Sequence, residues 1–290
     1  MSTPAKRHLV FAGLLTIDVA QHAKSLPAAG GKGTADSVYM DVGGPAANAA
    51  ITASGLGASA QLTTVVGGTD LAEYARTVLH THGVLVDDRA PGEGVPVASI
   101  WISAGTGERT ILATNNSEVR PELGPALRED TNAVLLDGHY ADLAAAIAAE
   151  ADAGRVPVVL DCGRWRPVYA RLLPLATDII MCQTFRPPGF EGMGDRETLV
   201  GIYQRWQPEF CVMTRGGDDV LIVDEGGLTS FAVPQVAVVD TMGAGDVLHG
   251  AYVYWRYAAG LRSVAALEAA IDLASRSCTH LGVRAIPKQS

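Results

Sequence analysis

The chain has 290 residues, enough to bury a full core, and its 48% hydrophobic and 18% charged content excludes an extended disordered polymer. Its 32 glycines follow no fixed period, which excludes collagen and repeat arrays. Lys plus Arg total 22 against 31 Asp plus Glu, and the net charge of −9 argues against nucleic-acid binding while leaving room for small anions held by local dipoles.

At the N-terminus, Lys6-Arg7 and the apolar run that follows imitate a signal peptide, but the run is short and Asp18 stands where a cleavage site belongs. His8–Leu14 reads instead as a first buried strand. Further short apolar runs, at Leu62–Val66, Val134–Leu136, Val156–Leu160, Ile179–Met181 and Phe210–Thr214, read as strands buried on both faces. Helical spacing falls between them at Ala46–Leu56, Leu71–His82, Asp142–Ala153 and Arg196–Trp206. This alternation predicts an α/β fold, a three-layer doubly wound and mostly parallel sheet. Two stretches break it: Thr16–Asp41 is polar and Gly-rich, and Val97–Ala113 reads as a hairpin turning at Gly105–Glu108. The expectation is one domain over 1–290, with segments at about 15–42 and 96–115 forming a small β lid over the ligand site. No apolar run reaches the roughly 18 residues that span a bilayer. Cys162, Cys182, Cys211 and Cys278 are scattered, with no metal-binding spacing, and read as reduced thiols of a cytoplasmic protein without membrane contact.

The most informative stretch is Asp240-Thr241-Met242-Gly243-Ala244-Gly245-Asp246, which follows an apolar run and opens a helix at Val247–Ala259. Small residues at Gly243, Ala244 and Gly245 let successive backbone N–H groups point into one concavity at a helix N-terminus, an anion hole suited to a transferring phosphoryl group. Asp246, in the first turn, is placed to take a proton from an attacking hydroxyl. A Gly-rich loop with a capping Asp is the competing reading of those residues alone. Gly31-Lys32-Gly33 lacks the other residues of a P-loop, and no dinucleotide-binding glycine pattern opens the first helix.

The 240–246 stretch resembles the D-T-x-G-A-G-D signature of the ribokinase-like (PfkB) carbohydrate kinases. A second signature of that family appears as Gly43-Gly44-Pro45-Ala46-Ala47-Asn48-Ala49-Ala50, and the likeness covers essentially the whole chain. The resemblance implies transfer of the ATP γ-phosphate to a hydroxymethyl group, Asp246 as base, and sugar held by Asp18, Gly43, Gly44 and Asn48. It places Thr214, Gly216, Asp161 and Arg164 toward ATP, and implies Mg²⁺, a potassium site near Asp240 and the 282–285 loop, and a homodimer through the lid. Lys32 in the lid, and Asp137 and His139 past a strand end, are further candidates for substrate contact. The chain departs from the family at Gln183-Thr184-Phe185-Arg186, where N-x-x-E is common. A carboxylate is absent there, and Arg186 is expected to neutralise phosphate instead. A nucleoside kinase of the same fold, or a silent sugar-binding or regulatory protein, are the alternatives.

Overall fold

A computed structural model describes residues 6–103, 109–114 and 118–280, so the expected turn at Gly105–Glu108 and the 282–285 loop lie outside the described residues. After β1 (His8–Ala12) the chain leaves for β2 (Thr16–Ala23) and β3 (Ser37–Gly43), then returns through α1 (Pro45–Leu56) to β4 (Ser59–Thr64), α2 (Asp70–Thr81) and β5 (Val84–Asp88). A second excursion makes β6 (Val97–Ser103) and β7 (Arg109–Ala113). The chain then runs through β8 (Thr131–Leu136), α3 (Ala141–Gly154), β9 (Val158–Cys162), the short α4 (Tyr169–Leu172) and β10 (Asp178–Cys182). It continues as α5 (Asp195–Trp206), β11 (Phe210–Arg215), β12 (Asp218–Asp224) and β13 (Gly227–Phe231), and closes with α6 (Ala244–Val253) and α7 (Ser263–Ser277).

The main sheet has nine strands in the order β13-β12-β11-β10-β9-β8-β1-β4-β5, parallel from β11 to β5 with the β12–β13 hairpin antiparallel at one edge. Side chains on β1 alternate, as a strand requires. Leu9 and Phe11 join the cluster under α1, α2, α6 and α7, whereas Val10 and Ala12 join the cluster under α3, α4 and α5. That alternation builds three layers. The chain winds from β1 toward β4 on one side and toward β8 on the other, so the carboxyl ends of β1 and β8 flank the point where strand order reverses, the usual place for a ligand in such sheets.

The two excursions meet in a four-stranded sheet, β3-β2-β6-β7, as expected of the lid. Its parallel join, Ile17↔Val97 through Ala23↔Ser103, unites segments far apart in sequence. The lid's own apolar cluster, Ala20, Ala98, Ile100 and Ile102, takes in Met242 from the glycine turn. The Tyr39 hydroxyl also lies 4.0 Å from the Met242 sulfur, so lid and turn touch.

Helices α1 and α6 approach unusually closely. A Cβ on Gly250 would stand 2.3 Å from the Ala49 carbonyl oxygen, closer than any atom can sit without moving a helix. Gly250→Val should therefore cost about 1–3 kcal/mol of stability and nearly all activity. Denaturant unfolding checks the first part, and wild-type stability would mean that the helices can separate freely.

Candidate active site

Helix α6 starts at the end of the glycine turn. Gly243 takes the left-handed conformation (φ 70°) at its N-cap, no side chain caps the helix, and the Met242 N–H is turned inward by the Asp240 carboxylate at 2.8 Å. The Ala244 N–H reaches back to Thr241 O at 3.3 Å, while those of Gly245 and Asp246 have no partner among the described residues. A Cβ on Gly245 would meet nothing within 4 Å, so open space lies over the free N–H groups. An anion fits there without displacing a side chain.

On one side this turn faces a cleft of about 350 Å³. Thr214 and Gly216 line it, together with Ala244 and Gly245. Sequence reasoning missed its apolar wall, which includes Val236, Val238, Ile271 and Ala274. Two of these lie on α7, and nothing local in that helix marks one face as ligand-bearing.

On the other side stands Asn48. Its Nδ2 donates to Asp246 Oδ2 at 2.7 Å, while its Oδ1 is buried with no protein partner and can accept a bond from a ligand. Half-buried Asp246 is pushed up to about 7, first by loss of solvent and next by the neighbouring Asp161 carboxylate; the Asn48 hydrogen bond and His249 oppose the shift. His249 Nδ1 lies 2.7 Å from Gly245 O, and its Nε2 lies 3.3 Å from Ile180 O and 3.5 Å from Asp161 Oδ1. Both ring nitrogens thus face oxygens, which ties the first turn of α6 to β10 and β9. Asp161 is buried, its charge acts on Asp246, and it is not among the residues that line the cleft beside Gly245. Burial raises its pKa, and the His249 ring, 3.5 Å from Oδ1, opposes the shift.

Asp18, Gly43 and Gly44 converge at the mouth of β2 and β3. The Asp18 carboxylate fills the space that a Gly43 side chain would need, a Cβ there falling 2.1 Å from Oδ2. Thr16 Oγ1 steadies Asp18 by donating to Oδ1 at 2.6 Å. Gly44 (φ 95°) caps α1 against Leu14 O, 2.4 Å from where its Cβ would lie. Lys32 is exposed in the loop between β2 and β3.

Other expected contacts resolve differently. Asp137 is buried, and its Oδ2 accepts the N–H groups of Leu14 (2.8 Å) and Ala46 (3.2 Å) while Oδ1 accepts that of His139 (2.9 Å). Burial alone would raise its pKa, but His139 and the Leu14 N–H outweigh that and hold the carboxyl below its usual range. Both oxygens are spent on protein, so Asp137 ties the β1, β8 and α1 loops together and is not left to bind substrate. The ring of His139 is also engaged, with Nε2 2.8 Å from Arg166 Nη2 and Nδ1 3.1 Å from Asp137 Oδ1. Arg164 is exposed, and Arg166, two residues on, is the arginine that turns inward. Arg186 donates to Asp195 Oδ1 at 2.6 Å and to its own neighbour's carbonyl at 3.0 Å, so its charge is answered within the protein.

The model of the pfkB family carbohydrate kinases matches residues 6–289. Among solved structures, the chain is similar to a putative ribokinase from Agrobacterium tumefaciens, at 24% identity over 98% of this chain and 95% of that one, with a TM-score of 0.86. It is similar to an Arabidopsis thaliana ribokinase in complex with ribose and ATP, at 18% identity over 98% and 96%, TM-score 0.76. A Methanocaldococcus jannaschii nucleoside kinase matches at 16% identity over 97% and 94%, TM-score 0.75. At these identities the solved structures establish the fold.

The Asp246 carboxyl should titrate near neutrality, and Asn48→Ala should move it upward, because the lost donor favoured the ionised form. Carbon-detected NMR of labelled aspartate, assigned against Asp246→Asn, reads both values; an unmoved midpoint would separate Asn48 from the electrostatics of Asp246.

Proposed function

The chain belongs to the pfkB family carbohydrate kinases, which are ATP-dependent phosphotransferases, and we propose that it phosphorylates a hydroxymethyl group of a small sugar or sugar derivative, with Asp246 as the base. One arrangement carries this reading: a carboxyl with a raised pKa stands in the first turn of a helix whose unpartnered N–H groups open beside an apolar cleft. ATP lies along that cleft past Thr214 and Gly216. The acceptor sugar lies across the turn, held by Asp18, the backbone at Gly44 and the free Oδ1 of Asn48, with Lys32 able to approach from the lid loop. Asp246 takes the proton of the acceptor hydroxyl as its oxygen bonds to the γ-phosphorus and the bond to ADP breaks. The N–H groups of Gly245 and Asp246 hold the charge that spreads over the phosphoryl oxygens. The lid excludes water, which directs the phosphoryl group to the sugar.

Among the described residues no group of three or more His, Cys, Asp or Glu could hold a metal ion. Magnesium, when bound with ATP, would neutralise phosphate charge. A nucleoside acceptor is the second reading, favoured by the likeness to a nucleoside kinase. A silent binding protein has no need of a carboxyl tuned to neutral pH. ADP release against a panel of sugars and nucleosides tests the assignment. Asp246→Asn should lower kcat by about 10²–10⁴-fold with ATP affinity nearly unchanged, since shape is kept and the base is lost. Near-normal turnover would remove Asp246 from the chemistry.

The lid also supports a homodimer. Val38, Met40 and Leu112 are exposed on one face of its strands, Leu112 by 78%, an apolar surface of the kind that a second copy covers. Leu112→Glu should convert a dimer to monomer in light scattering; a wild-type monomer would overturn this pairing.

A further inference from the structure

A second cleft, of about 700 Å³, opens beside the acceptor end of the site. Leu14 after β1, His139 after β8, Arg166 after β9, Thr114 at the end of lid strand β7, and Arg120 line it. It adjoins the candidate base through Asp137, which binds the Leu14 N–H and whose charge is felt at Asp246.

Arg166 is half-buried, and among the described residues no carboxylate lies within salt-bridge distance of it. Its contacts are uncharged acceptors: Nη1 donates to the Asp137 carbonyl at 3.3 Å and Nη2 to His139 Nε2 at 2.8 Å. A guanidinium has no acceptor, so His139 must turn a lone pair toward it and carry its proton on Nδ1, facing Asp137. The chain Asp137–His139–Arg166 therefore fixes the guanidinium in place with no carboxylate in direct contact, although its charge is felt at Asp161. A half-buried cation held by neutral groups is costly unless an anion completes it. Helix α3 begins in the same cleft with no side-chain cap, and its dipole adds to the positive field. The one carboxylate among the lining residues described, Asp142, is answered by Arg171 at 3.4 Å.

We propose that this cleft binds an oxyanion group (carboxylate, phosphate or sulfonate) carried by the sugar at the end away from the phosphorylated hydroxyl, with Arg166 as its principal ligand. The proposal rests on the kinase reading above and names the class of its substrate. Arg166 acts on affinity, because an oxyanion held there is held alike before and during phosphoryl transfer.

The test measures ADP release for a matched set: a neutral sugar and the same skeleton bearing a terminal carboxylate, phosphate or sulfonate, with nucleosides alongside. One charged member should exceed the neutral parent in kcat/KM by about tenfold or more, and which member does so identifies the anion. Arg166→Gln should remove about ten- to a hundredfold of that through KM, leaving kcat and the neutral parent nearly unchanged, and Arg166→Lys should fall between. Calorimetric titration of the preferred acid without ATP should show the same loss of affinity, and Arg166→Lys carries this comparison should Arg166→Gln prove unfolded. Neutral sugars used as well as charged ones, or an Arg166→Gln defect equal for both, would overturn the oxyanion site while leaving a sugar kinase. Turnover of nucleosides alone would overturn the sugar reading and this proposal together.

Discussion

The closeness of α1 and α6 governs the site. Gly250 lets the backbone of α6 rest on the Ala49 carbonyl, and Asp246 lies one turn earlier on the same face of α6, just as Asn48 adjoins Ala49 on α1. The 2.7 Å bond from Asn48 to Asp246 is thus a consequence of a backbone contact several ångströms away. Were either residue at that contact larger, the carboxyl would lose its one neutral donor and its fixed aim. The apolar cluster that α1 and α6 share on one face of the sheet then holds the two helices at that distance.

Three buried or half-buried carboxyls meet at the carboxyl ends of the parallel strands, and each is handled by different chemistry. Asp137 is saturated by backbone N–H groups, stays ionised, and serves as a knot between loops. Asp161 is desolvated and answered by the His249 ring at 3.5 Å. Asp246 has a single amide donor and the charge of Asp161 nearby, so its proton is held at neutral pH with little preference. The same residue type therefore yields a structural anion, an electrostatic neighbour and a carboxyl poised near neutrality. Position in the network decides which.

Much of the fold was legible because it follows local rules. Strands buried on both faces are continuous apolar runs, and the expected His8–Leu14, Ile179–Met181 and Phe210–Thr214 lie within two residues of the observed strands at each end. The lid was legible as an interruption, since its strands are polar on one face and carry few core residues. The hairpin strand β13 went unread because it is exposed along most of its length and shows no burial pattern. At the site, the glycine turn was marked by its run of small residues, and Asn48 by the family signature at 43–50. Arg166 was not: Arg164 sits in the same loop, and which of the two turns inward is decided by His139, 27 residues away in the chain. Gly250 was equally silent, because its role depends on Ala49 and not on its own helix.

The lid strand β7 carries Arg109, whose guanidinium donates to the Thr241 hydroxyl, while Tyr39 of β3 reaches Met242 in the same turn. On the proposed assignment the two ligand sites share a mechanical joint, since the turn that would receive the phosphates is also a foothold of the lid over the acceptor. A molecule that draws the cover down steadies the turn, and one that settles on the turn steadies the cover. By thermodynamic linkage the two affinities must then change by the same factor, in whichever order the ligands arrive. A kinase in which both ligands favour the same lowered lid would hold its second substrate more tightly than its first.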